Sequence, residues 1–142
     1  MREYILSLDG PPCSYCVCSK ICTVAQIDHV VPKFLLKRKI LDKELLKQAM
    51  RDPHNLYRVC QRKNSEKGSS ILSIQEAGDE FSGMKARSYL YMNKKYRLNF
   101  SHEYVELLKT IDRLHEPFPF EIRRAKKIME DMKIENIFVT KS

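Results

Sequence analysis

Asp28-His29-Val30-Val31-Pro32, Asn55-Leu56 and Asn64-x-x-Lys67 bring a carboxylate, an imidazole, two amides and an amine into one stretch of the chain. Asp28 offers a hard anionic oxygen and Asn64 a neutral one, a set suited to hydrated Mg²⁺ or a similar divalent cation. With so few protein ligands, the other positions around such an ion stay open to water and to phosphate oxygens. His29 has a ring that is neutral near pH 7 and accepts a proton from water. The chemistry these groups suit is hydrolysis of a phosphodiester. That reaction asks for barrier lowering of roughly 20 kcal/mol, and a general base supplies only about 3–5.5 kcal/mol of it. A cation that polarises the phosphate must supply a large share.

The elements that position these groups are legible in outline. Residues 23–27 are short, β-branched and alternating, and predict a strand that delivers Asp28 and His29 at its end. Neighbouring strand side chains point to opposite faces, so the pair shares one site only where the backbone bends, and Pro32 ends the strand. Residues 33–50 have helical spacing and predict one or two short helices. Residues 51–55 are turn chemistry, 56–60 alternate as a second strand, and 64–67 predict a helix start. Residues 2–8 fit a short strand or a turn of helix. Beyond residue 80 helices are expected near 80–93, 101–114 and 118–132. Their core is expected to be Met84, Leu90, Met92, Leu107, Leu108, Ile111, Leu114, Ile122, Ile128 and Met129, with Met132 also packing. The expected fold class is α+β: a small ββα core, a two-stranded antiparallel hairpin plus a helix, with a mostly helical C-terminal part. Residues 1–75 hold the core and its cysteine knuckle, and 76–142 a basic helical extension packed on it as one domain.

At 142 residues the chain suffices for one domain, burying about 68–70% of the surface its unfolded form exposes. No stretch approaches the roughly 20 apolar residues of a membrane helix. Met1-Arg2-Glu3-Tyr4 carries an acid and no long apolar run, which argues against a signal peptide and for an intracellular setting. A formal charge of +8 favours a polyanionic partner. Lys33 follows the Asp-His pair, and Arg62 and Lys63 stand beside Asn64. Lys85, Arg87, Lys94, Lys95 and Arg97 alternate with Tyr89, Tyr91 and Tyr96 in a stretch without acids. That pattern fits a phosphate-gripping surface with stacking rings, and equally a solvated helix face whose tyrosines are core. His54 reads as an ordinary loop histidine beside Asn55.

Five cysteines, Cys13, Cys16, Cys18, Cys22 and Cys60, are odd in number and clustered at one end. They argue for metal binding or free thiols rather than a disulfide framework.

In order along the chain, Cys13-Ser14-Tyr15-Cys16, Asp28-His29-x-x-Pro32, Asn55-Leu56 and Cys60-x-x-x-Asn64-x-x-Lys67 resemble the HNH, or ββα-metal, nuclease motif. The segment is especially similar to the HNH domain of RNA-guided CRISPR nucleases, where the last motif position is Asn rather than His. The resemblance covers about residues 13–72. It implies that His29 activates the attacking water, that Asp28 and Asn64 hold a divalent ion, that Asn55 braces the loop and orients His29 through a hydrogen bond, and that Lys67 contacts phosphate. It also implies DNA rather than RNA as the partner. One departure concerns zinc. Many zinc-bearing members have a second CxxC, but Lys63 stands where its last cysteine belongs. A structural Zn²⁺ on Cys13, Cys16 and Cys60 therefore needs a fourth ligand, for which Cys18 and Cys22 are the alternatives to an empty site.

Three functions compete. The first is a metal-dependent DNA endonuclease, nicking or cutting duplex DNA; one site cleaves one strand, so a double-strand cut calls for a homodimer or two nicks. The second is a non-catalytic nucleic-acid-binding protein on a degenerate HNH scaffold. The third is a cysteine-rich interaction protein.

Overall fold

Strand β1 (Ala25–His29) pairs antiparallel with β2 (Leu56–Cys60), Ala25 opposite Cys60 and His29 opposite Leu56. This is the sheet in the computed structural model, which describes residues 1–15 and 25–141. The rest is helical: α1 (Arg2–Ser7), α2 (Lys33–Lys39), α3 (Lys43–Met50), α4 (Gln61–Lys67), α5 (Ser82–Tyr96), α6 (His102–Leu114), α7 (Pro119–Met132) and α8 (Ile137–Thr140). The fold is α+β, with α4 following β2 directly and packing on both strands to complete a ββα unit.

Local chemistry sets the boundaries. Pro32, fixed in an extended conformation, starts α2. The Asp42 carboxylate caps α3 by accepting the Leu45 N–H at 3.0 Å. Asp52 does the same for a 3₁₀ turn at Pro53–Asn55, accepting from His54 N–H. The Cys60 sulfur accepts the Lys63 N–H at the start of α4, and Gly68, at φ 54°, ends it.

Residues 64–67 are thus the last turn of a helix, not its first. The helix begins where β2 stops, because Cys60 itself supplies the cap. Residues 2–8 form a helix rather than a strand, with Ile5 and Leu8 buried against Leu56 and Ile128.

The larger apolar cluster runs from Cys13, Val30 and Val31 through Leu36 and Val59 to Met84, Met92, Leu108 and Ile111, with Ile134 and Phe138 against it. Both stretches of the chain, before and after residue 75, contribute to it. Helix α5 is buried around most of its circumference. Leu114 departs from expectation at 63% exposed, because α6 ends there and the chain turns off at His115. Met129 and Met132 are also exposed, at 41% and 38%, at the end of α7. Among the described residues no helix is long and apolar enough to cross a membrane.

Gly83 sits where α5 meets the end of α6. A β-carbon there would lie 2.6 Å from His115 Cβ and 3.0 Å from its carbonyl oxygen. Gly83→Ala is expected to lower stability by about 1–3 kcal/mol despite alanine's better helix propensity. Urea unfolding of the two proteins measures it; an equal or higher midpoint for the variant would refute this packing.

Candidate functional site

The last two residues of β1 carry the site. Asp28 is 7% exposed, and both carboxylate oxygens are engaged. Tyr15 donates its hydroxyl to Oδ2, and Lys67 Nζ lies 3.1 Å from Oδ2 and 3.3 Å from Oδ1. Lys67 also donates to the His29 carbonyl at 3.1 Å. Burial, then the Asp28 charge and its hydrogen bond, holds the Tyr15 hydroxyl well above its ordinary range. Tyr15 therefore stays a neutral donor to the carboxylate.

The His29 ring is fixed from the opposite side. Its Nε2 stands 2.9 Å from the Met50 carbonyl at the end of α3. A carbonyl only accepts, so Nε2 carries the proton and Nδ1 is left as acceptor. Burial lowers the pKa of His29, and the charges of Lys33 and Lys67 push the same way against the Met50 carbonyl and Asp28. The imidazole is neutral at pH 7.

Asn64 donates through Nδ2 to Gln26 Oε1 at 2.7 Å, leaving Oδ1 as an acceptor. Asp28, His29, Lys33, Asn64 and Lys67 line one open cleft of about 240 Å³. The sequence separated these groups by up to 39 positions; the ββα unit brings them together.

Asn55, fully buried, clamps the loop after β1. Its Oδ1 accepts the Val31 N–H at 2.8 Å, its Nδ2 donates to the Val31 carbonyl at 3.1 Å, and its own carbonyl accepts the Val30 N–H at 3.0 Å. The Asn55 side chain thus ties the loop at Val31 and does not bond His29, whose ring is held by Met50. Lys67 reaches Asp28 rather than open solvent, because the buried carboxylate is the nearest anion.

The basic residues divide sharply. Lys33 is exposed at the cleft. Arg62 and Lys63 pair with Glu66 on the outer face of α4. Lys85 is largely buried, with its Nζ 4.6 Å from the centre of the Tyr15 ring and 3.9 Å from Glu76. Arg87 is no surface residue: it is fully buried, gripping Glu121 at 2.6 and 2.9 Å and Asp112 at 2.9 Å. Lys94, Lys95 and Arg97 are exposed, but they line two other cavities and not the Asp28 cleft. Tyr89, Tyr91 and Tyr96 are buried and hydrogen-bonded, to Leu72 N–H and to Asp52, so they are core and not stacking rings.

His54 is also structural. It is buried, donates through Nε2 to the Ile134 carbonyl at 2.8 Å, and has its pKa lowered to about 4 by burial.

Cys13 is buried with a free thiol, whereas Cys60 is disulfide-bonded, against the expectation of thiols. A disulfide sulfur is not a thiolate donor, so Cys60 in this state is not a zinc ligand. Cys16, Cys18 and Cys22 lie outside the described residues. Among the described residues no group of three or more His, Cys, Asp and Glu side chains is placed to hold a metal. The Asp28–Asn64 pair is not of that kind, having one carboxylate and one amide.

Sequence reasoning missed Tyr15, Gln26 and the Met50 carbonyl. Tyr15 had a faint signal in lying between two cysteines; the others had none. No protein-family model matches the chain, and no curated protein matches it in sequence.

Removing the Asn55 amide leaves both Val31 backbone groups buried without partners, at about 1–3 kcal/mol each. Asn55→Ala is expected to lose about 3 kcal/mol by chemical denaturation. A loss under 1 kcal/mol would show that the clamp does not hold this loop.

Proposed function

We propose that this protein is a metal-dependent endonuclease of the HNH, ββα-metal kind, hydrolysing phosphodiester bonds of DNA. The observation that carries the reading is His29: a neutral imidazole with Nε2 tied to a carbonyl and Nδ1 unprotonated, in the same cleft as Asp28 and Asn64. A base held in one tautomer and facing an open cleft suits removal of a proton from water.

The residues present fit a hard, largely hydrated divalent cation. Asp28 and the Oδ1 of Asn64 would hold it, and both are oxygen donors of the right type. When bound, it supplies positive charge to the phosphate and to the departing oxygen. His29 Nδ1 takes the proton of the attacking water as the new P–O bond forms. The opposite P–O ester bond breaks, and the departing oxygen gains a proton from solvent. Asn55 holds the loop that follows His29, and Met50 holds its ring. Displaced from Asp28, the Lys67 ammonium becomes available to a phosphate oxygen.

One observation favours a second reading, a non-catalytic nucleic-acid-binding protein on a degenerate HNH scaffold. Both oxygens of Asp28 already carry donors, and an ammonium in place of a divalent ion is stable without catalysis.

Supercoiled plasmid separates the two. Open-circular or linear product with Mg²⁺ or Mn²⁺, lost in EDTA and in His29→Ala, is the expected result; retarded but uncut plasmid supports the second reading. Because the base works only unprotonated and its pKa is lowered, the rate should hold as pH falls to 6.5 and decline below it. An acid limb centred above 6.5 would exclude His29 as that base.

Lys67→Met removes the ammonium that competes for Asp28. Mn²⁺ titrated into the metal-free variant should bind several-fold more tightly than in the parent, while plasmid nicking falls. Weaker or unchanged Mn²⁺ affinity would mean that Lys67 does not occupy the cation's place.

A further inference from the structure

A second cleft, of about 430 Å³, opens on the other side of His29. It lies between α1 and the end of α3, over the sheet residues Gln26 and Ile27. It shares Ile27, His29, Lys33 and Asn64 with the cleft that holds Asp28 and Lys67. The two therefore adjoin along these four residues, and side by side they offer a channel across the site.

We propose that this channel is the path of a nucleic-acid strand, with Arg2, Lys33 and Arg51 gripping the phosphates that flank the one at His29. The position of the reacting phosphate rests on the nuclease reading; the grip on the backbone does not. All three side chains are exposed, and among the described residues none is in an ion pair. Among the described residues no Asp or Glu lines this cleft. The two other large cavities each include an acid, Glu135 in one and Asp42 in the other. An acid in the wall repels phosphate and neutralises a neighbouring lysine. Of the three, the cleft beside His29 is the one whose described wall holds no acid, and in the adjoining cleft Asp28 is already paired with Lys67.

Its chemistry suits the backbone of a strand more than a small anion. Two guanidinium forks on opposite walls match phosphate oxygens in pairs. Arg2 is anchored by donation to the Ala25 carbonyl at 3.3 Å. Ile27 and Met50 give an apolar surface between the charges, against which a sugar or base can lie.

The test is the salt dependence of binding of a short fluorescein-labelled DNA duplex, read by anisotropy in EDTA. Each phosphate contact contributes about 0.9 to the slope of log K against log salt. Arg2→Ala and Arg51→Ala should each reduce the slope by about 0.9, and together by about twice that. Lys126→Ala removes one exposed charge from α7, outside the channel, and serves as the control for net charge. A double variant with the slope of Lys126→Ala overturns the proposal, as does a parent protein that does not bind the duplex. Plasmid nicking is scored separately. Arginine-dependent slope without nicking upholds the channel and ends the nuclease reading; nicking with an unaltered slope does the reverse.

Discussion

A buried carboxylate governs this structure. Asp28 sits at a strand end with almost no access to solvent, and a charge in that position is stable only if its partners come to it. They come from two separate parts of the chain: the Tyr15 hydroxyl from the N-terminal segment and the Lys67 ammonium from the end of α4. Removing one partner from such a pair leaves an uncompensated charge, at about 3–5 kcal/mol. Asp28 thereby fixes where Tyr15 and α4 lie on the hairpin, and with them part of the wall of the cleft. Among the described residues the same carboxylate is the one anionic oxygen donor in that cleft, so structure and chemistry make competing demands on a single residue.

The elements were largely legible in sequence because period and punctuation agree there. Residues 56–60 alternate and are bounded by turn residues, and β2 occupies them. Pro117, Pro119 and the leucine spacing mark the three long C-terminal helices. The candidate site was legible as a set of residue types, but not as bonds. Nothing at Lys67 distinguishes an amine that meets phosphate from one that meets Asp28, 39 positions away. Arg87 was misread for the same reason. Its acids, Asp112 and Glu121, lie 25 and 34 residues on, so the local stretch looks acid-free while the folded environment is the reverse. The start of α4 was missed because a disulfide-bonded cysteine sulfur is not among the usual cap acceptors.

Positive charge in this chain has two distinct uses. Arg58 donates to the carbonyls of Leu6, Gly10 and Pro11, tying the N-terminal segment to β2. Arg124 is buried, with its guanidinium 3.8 Å from the centre of the Tyr57 ring and a hydrogen bond to the Pro53 carbonyl. Arg87 joins α5, α6 and α7. These three are mortar, and their forked donors satisfy carbonyls and carboxylates that a core otherwise leaves unpaired. The formal +8 therefore overstates the charge that faces a ligand. What remains outside is uneven, and the cleft lined by Arg2, Lys33 and Arg51 has no acid among its described wall residues.

Helix α4 has no buried residue. It rests on the hairpin through polar contacts, Asn64 on Gln26 and Lys67 on Asp28 and His29, and Gly68, at φ 54°, ends it. Segments that bury little apolar surface are the first to open, and they do so without unfolding the rest. The element bearing two of the site's groups is therefore held to the hairpin by polar contacts rather than by apolar burial. Its outer face is free to drift in sequence at little thermodynamic penalty, while the two inward polar teeth are held to their chemistry.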